Sequence, residues 1–297
     1  MAVAAMRETL QKGGTIVAPG AYDAITARLI RYLGFKALYI PGSQTGMVLG
    51  TTEPLTSLTE MAMVGERVSE GVNDELPVIL DAGAGFGDPV HVVHTVEVLE
   101  DAGLTAIHIE DQFFPKRVSY HRGLEHVVPV DVYQQRIEYA VKARRSKDFL
   151  IIGRNDGYRA VEGGTRDHAV KRAYAAQEAG ADIIMIMGMR EKEDFEYFRK
   201  EIKDIPMLAM AGNGPFGVNE FRDMGYQVII YPQTTIQTSL RSVHDLWKNI
   251  KDTGDVPESW QEQSDKMRDV LNALLEFEEK WAVEAATTEK GSTPTNH

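Results

Sequence analysis

The 297-residue chain contains no cysteine. That excludes disulfides, thiolate metal sites and a cysteine nucleophile or acid, and it fits a reducing cytoplasm. Nowhere do 18 apolar residues run consecutively, so no membrane span is expected. The opening MAVAAMRETLQKGG lacks the apolar stretch of an export signal, and none is expected. Basic residues are in the minority: 32 Lys and Arg against 44 Asp and Glu leave a net charge of −12. This balance argues against nucleic acid or an anionic membrane as partner, because phosphate binding needs clustered cations. Neither a G-x-S-x-G nucleophile elbow nor a G-x-x-x-x-G-K-[ST] phosphate loop occurs. No linker rich in Pro, Gly or Ser divides the chain. One domain is therefore expected over residues 1–287, with a disordered polar tail over 288–297.

What is present is regular. Short apolar runs bounded by turn residues recur eight times: TIVAPG (15–20), KALYIPG (36–42), PVILDAG (77–83), AIHIED (106–111), FLIIGRND (149–156), DIIMIMG (182–188), PMLAMAG (206–212) and QVIIYP (227–232). Segments with apolar residues at helical spacing lie between them, and several close on glycine, at Gly34, Gly103, Gly180 and Gly225. Strands apolar on both faces that alternate with helices make a parallel sheet, and eight units in under 250 residues predict a (β/α)8 TIM barrel. After the eighth unit Met267, Val270, Leu271, Leu274 and Leu275 form an amphipathic stripe that Phe277 and Trp281 extend as one helix. The ring is already complete there, so the stripe has two possible partners: the end of its own barrel or a neighbouring subunit.

Barrel chemistry gathers at the C-terminal ends of the strands. These ends carry Ser43 and Gln44, then Asp81, then Glu110 and Asp111, then Arg154, Asn155 and Asp156, with Met187, Asn213 and Gln233 on the later strands. Three carboxylates on the third and fourth strands, without His or Cys, suit Mg2+ or Mn2+. Arg154 across the mouth has the fork geometry that holds a substrate carboxylate or phosphate. A divalent ion beside such an arginine points to enolate-forming chemistry on an oxo or hydroxy acid. The segment FFPKRVSYHRGLEHVVP (113–129) is long for a barrel loop and reads as a lid. The pairs His91/His94 and His121/His126 have no matching carboxylate motif and read as surface histidines. DAGAGFGDP (81–89) first suggests a dinucleotide loop, but its glycines fall at G-x-G-x-G, and Asp88-Pro89 reads as a helix N-cap and first-turn proline. Asp81 is the working residue of that stretch.

These segments, in this order, resemble the isocitrate lyase/phosphoenolpyruvate mutase superfamily, from about Thr15 to Pro232. APGAYDAITARLIRYLGFKALYIPGSQTG matches its first unit and second strand, ILDAGAGFGDP its D-A-D-x-G-Y-G segment, HIEDQFFPK its I-E-D-Q/K-x-x-P-K motif, and IIGRND its A-R-T-D. The resemblance implies Mg2+ near Asp81 and Glu110, Arg154 on a substrate carboxylate, and Tyr39, Gly42, Ser43 and Asn213 around the substrate. It also implies a gating loop that begins at Lys116, and a homotetramer with C-terminal helices (about 255–287) exchanged between subunits. Its members cleave C–C bonds, rearrange or hydrolyse C–P bonds, or decarboxylate through an enolate-like intermediate. Several positions depart from the family pattern. Gly83 replaces the second metal-site aspartate, Glu53 stands for the strand-2 loop aspartate, Val118 replaces the lyases' loop Cys, and Met187 replaces a polar strand-6 residue. Ser119, Tyr120 and His121 then become the candidate loop acids beside Lys116 and Glu53. Met187 and Met210 favour a C–C lyase acting on an alkyl-substituted 2-hydroxy or 2-oxo acid. The alternatives are a decarboxylase, hydrolase or phosphonomutase of oxaloacetate- or phosphonopyruvate-like acids, and a carboxylate-binding relative without chemistry.

Overall fold

The computed structural model describes residues 2–288 except Asp74, Ser119 and Asn213. The expected roles of Ser119 and Asn213, and the expected tail from residue 289, lie outside the described residues. Eight strands follow the eight apolar runs: β1 (Ile16–Pro19), β2 (Leu38–Ile40), β3 (Val78–Asp81), β4 (Ala106–Glu110), β5 (Leu150–Asn155), β6 (Ile183–Ile186), β7 (Met207–Met210) and β8 (Val228–Tyr231). All ladders are parallel, in the order β1-β8-β7-β6-β5-β4-β3-β2. A parallel bridge between Gly20 and Tyr39, with the Ala21 N–H donating to the Tyr39 carbonyl at 2.8 Å, brings the two ends of that order together. The result is the (β/α)8 barrel that the alternation predicts.

Helices α1 (Ala2–Gln11), α2 (Ala24–Tyr32), α3 (Gly42–Val48), α4 (Leu58–Gly71), α5 (Pro89–Asp101), α6 (Val130–Ala143), α7 (Arg166–Glu178), α8 (Lys192–Glu201), α9 (Val218–Asp223) and α10 (Thr234–Thr253) accompany the strands. Asp88 caps α5 by accepting from the Val90 and His91 N–H groups, and Pro89 opens the helix, as the sequence reads. Side chains alternate between two apolar layers. Leu38, Ile40, Leu80, Ile107, Ile151 and Ile184 pack outward under the helices. Ile16, Ile79, Ile152, Met185, Leu208 and Ile230 fill the barrel, joined by Met6 and Leu10 of α1. The period of two in each strand fixes which residues reach the mouth: continuing the inward rows gives Asp81, Glu110, Arg154, Met187 and Met210.

Residues up to Gln237 form one compact unit, and those from Thr238 a second. The second contains α11 (Ser259–Leu274) and α12 (Phe277–Thr287). The sequence suggests one continuous helix here. Instead, Glu276 takes a left-handed conformation (φ 55°) and breaks it, and Phe277 stacks on Trp281 with ring centroids 5.7 Å apart. Among the described residues, no helix is long and apolar enough to cross a membrane.

Candidate active site

Each charged group at the mouth is placed by a strand end. Asp81 closes β3, where its Oδ1 accepts the Gly83 N–H at 2.9 Å. The Gly83 carbonyl in turn accepts the Glu110 N–H at 2.8 Å, tying the ends of β3 and β4 together. Glu110 sits in register with Arg154 on β5. Glu53 arrives from the single 3-10 turn Glu53–Leu55, and its carboxylate lies against the first turn of α3. A Cβ on Gly42 would fall 2.5 Å from that carboxylate, so the close approach requires glycine.

Two cations meet these three carboxylates. Lys116 is buried; its Nζ donates to Glu53 Oε1 and lies 3.0 Å from Glu110 Oε2 and 3.7 Å from Asp81 Oδ1. Arg154 grips Asp156 with Nε (3.0 Å) and a terminal nitrogen (3.3 Å), while its other terminal nitrogen lies 3.3 Å from Asp81 and 3.1 Å from Glu110. Burial works against the charge on Asp81, yet His108, Lys116 and Arg154 hold its carboxyl well below the usual range. Burial dominates at Glu53, which is pushed up to about 7 against the pull of Lys116, and at Glu110, which is also raised. Burial opposes the charge of Lys116, but Asp81, Glu110 and Glu53 outweigh it and keep the ammonium protonated.

Two groups near Asp81 separate what sequence reading finds from what it misses. Asp111, expected in the carboxylate site, faces the other way. It accepts from Arg172 of α7 (3.0 Å) and from the Asp156 N–H (2.8 Å), because it is one residue past Glu110 and so on the opposite face. His108, two residues before Glu110, points inward and was missed. Fully buried, it stacks on Tyr39, whose hydroxyl lies 2.8 Å from Nε2, and its Nδ1 lies 3.5 Å from Asp81. Burial pulls its pKa down to about 4, with Asp81 opposing, so the ring is neutral. The signal was available, since the period of two in AIHIE puts His108 and Glu110 on one face.

The mouth holds a cavity of about 150 Å3. Tyr39, Ser43, Glu53, Asp81 and Arg154 from the β2–β5 part of the chain line it, together with Met185, Met187, Met210, Pro232 and Gln233 from the β6–β8 part. Val118 and Tyr120 reach it from the long loop. His121 packs edge-on against the Tyr120 ring, 5.2 Å between centroids, and is not among the lining residues. Arg159 also reaches the rim, but Glu125 and Asp156, each 2.6 Å away, hold it.

The donors suit a hard divalent cation: Asp81 and Glu110 are buried carboxylates, and Glu110 Oε1 has no hydrogen-bond partner, while its Oε2 is ion-paired with Lys116 and Arg154. With Lys116 among them, no group of three His, Asp or Glu side chains among the described residues is arranged to hold a metal ion. This arrangement can bind a carboxylate at Arg154, supply carboxylates for proton transfer, and exclude water behind an apolar wall.

The family model for phosphoenolpyruvate phosphomutase matches residues 6–251. The chain belongs to the phosphoenolpyruvate mutase/isocitrate lyase superfamily. It is 39% identical over 254 residues to 2-methylisocitrate lyase of Aeropyrum pernix, covering 84% of this chain and 80% of that protein. It is 37% identical over 253 residues to 2,3-dimethylmalate lyase of Eubacterium barkeri, covering 84% and 86%. A crystal structure of 2,3-dimethylmalate lyase superposes with a TM-score of 0.85 at 28% identity, covering 99% of both chains.

Proposed function

We propose that the protein is a C–C lyase that cleaves an alkyl-substituted 2-hydroxy or 2-oxo acid and releases a pyruvate- or glyoxylate-type product. The observation that carries this reading is the mixed lining of the cavity, which brings Arg154 and the carboxylates Glu53 and Asp81 together with Met185, Met187 and Met210. Arg154 holds the substrate carboxylate, with Tyr39, Gly42 and Ser43 as further contacts and the neutral His108 steadying the Tyr39 hydroxyl. With a 2-hydroxy acid as substrate, Glu53, lining the same cavity, takes the proton from the substrate hydroxyl. As the C–C bond breaks, that carbon becomes the carbonyl of the product, and the other fragment leaves as an enolate. Tyr120, lining the cavity from the loop, returns a proton to the enolate carbon. Asp81 and Glu110 would hold Mg2+ or Mn2+, which supplies electrostatic stabilisation of developing negative oxygen. The methionines accept an alkyl group; among the lining residues on that side only the Gln233 amide could donate to a second carboxylate, and Arg159 at the rim is held by Glu125 and Asp156.

The same reading includes a homotetramer with exchanged C-terminal helices, supported by Trp247, Trp260, Met267, Leu271 and Trp281, all exposed in the single chain. The test is a panel of alkyl-substituted malates and citrates, assayed for 2-oxo-acid release with Mg2+ and with chelator. Metal-dependent release of pyruvate or glyoxylate from an alkylated acid is expected. Release only from oxaloacetate- or phosphonopyruvate-like acids, or turnover of none, contradicts the reading.

A further inference from the structure

Asp111 turns away from the mouth, yet it holds the residue that holds Arg154. Asp156 takes Arg154 Nε at 3.0 Å and one terminal nitrogen at 3.3 Å, so its carboxylate sets the plane of the guanidinium. Asp156 lies one residue past β5, and its N–H donates to Asp111 Oδ1 (2.8 Å) rather than along a strand ladder. The second Asp111 oxygen takes the buried Arg172 of α7 at 3.0 Å. The remaining Arg172 nitrogens donate to the Val128 carbonyl (2.6 Å) and to His168 Nε2 (3.0 Å), so the whole fork is engaged. The chain makes room for this arrangement. A Cβ on Gly157 would fall 2.6 Å from Arg172 Cδ, and one on Gly163 would fall 1.8 Å from His168 Nδ1. Asn155 adds a further tie, donating to the Ala169 carbonyl and accepting the Gly157 N–H. Three consecutive residues at the end of β5 are thus fastened to α7 or to its partner Asp111, and neither Asp111 nor Arg172 lines the cavity.

We infer that Asp111 and Arg172 are positioning residues for the substrate clamp: they fix the Asp156 backbone and, through its carboxylate, the direction in which Arg154 faces the cavity. This rests on the reading above that Arg154 holds the substrate carboxylate. A buried ion pair adds little stability over apolar side chains of similar volume, because desolvation cancels most of the attraction. What the pair supplies here is geometry. Displacing a substrate-holding group by about 1 Å costs on the order of a hundredfold in rate, so a brace behind Arg154 acts on the reaction without touching the substrate.

Phenylglyoxal labelling of arginines, read by peptide mass spectrometry, tests the brace in the double variant Asp111→Leu/Arg172→Met, where apolar side chains replace the pair. Arg154 is expected to react about tenfold faster than in the wild type. Arg144, held by the Phe149 carbonyl and Asp182 at the opposite end of the barrel, is expected to keep its wild-type rate. Arg172→Lys keeps a cation on Asp111 without the fork; it is expected to give about a threefold rise, and it decides if the double variant does not fold. Oxalate serves as a small carboxylate probe in calorimetry, with and without Mg2+, and both variants are expected to bind it about tenfold or more weakly than the wild type. Unchanged Arg154 labelling or unchanged oxalate affinity in a folded variant overturns the brace alone. A matching rise at Arg144 also overturns it, because it marks general loosening. Oxalate that the wild type binds in neither condition, or that Arg154→Met binds equally well, overturns the clamp reading beneath the brace.

Discussion

The two halves of the barrel mouth are built from the same kind of strand and do opposite things. On the β2–β5 side, the inward rows end in Tyr39, Asp81, Glu110 and Arg154, with His108 and Lys116 packed among them. On the β6–β8 side they end in Met185, Met187 and Met210 beside Pro232. The first half is a network in which nearly every charge is buried and answered by another. The second has no charge to answer. The contrast suggests a division of labour: one side carries the chemistry and the other selects the substrate. Substitutions on the two sides should therefore fail in different ways.

The largest effect is expected at Arg154. Arg154→Met removes the carboxylate clamp and leaves Asp81, Glu110 and Asp156 short of a cation, so kcat/KM should fall about a thousandfold or more. Stability should fall by about 3–5 kcal/mol in denaturant melts. Arg154→Lys should recover part of the stability and little of the activity, because an ammonium lacks the two-pronged geometry.

His108 comes next, through pH. Its folded pKa lies at about 4, below the ordinary value of 6.5, so the unfolded chain takes up this proton first. Stability present above pH 6.5 is therefore lost as pH falls from about 6.5 to about 4, by up to about 3 kcal/mol. His108→Gln should flatten that part of the wild-type curve, as read by urea melts across the range.

Tyr120→Phe should lower kcat about a hundredfold and leave KM nearly unchanged, since it removes a proton donor and keeps the ring. The smallest effect belongs to the apolar half. Met187→Ala should leave the fold intact and shift the kcat/KM ratio between longer and shorter alkyl substituents about tenfold in favour of the longer. A Met187 variant that lost all activity on every alkylated acid would break the comparison, by placing chemistry on the side assigned to selection.

Most of this fold was legible in the sequence, because repeated apolar runs of strand length with helical spacing between them leave few architectures. Asp81, Glu110 and Arg154 were legible for a related reason: each ends a strand, and strand ends in a barrel meet at one mouth. Asp111 was misread because composition counts carboxylates, whereas the strand's period of two decides which way each one points. The same period would have found His108. Lys116 is another matter. Its place depends on a loop folding back onto Glu53, which is 63 residues away in the chain, and on the room left by Gly83, and no local pattern encodes either. The break at Glu276 was equally hidden, since the turn uses a left-handed glutamate with neither glycine nor proline to announce it.

The central claim is that the mouth pairs one carboxylate clamp with an apolar wall. It is tested most directly by competing two substrates that differ only in the group facing Met187 and Met210, an alkyl in one and a carboxymethyl in the other. The account predicts that kcat/KM favours the alkyl acid about a hundredfold or more, because Met187 and Met210 give a second carboxylate no charged partner. Equal turnover, or preference for the carboxymethyl acid, would contradict it.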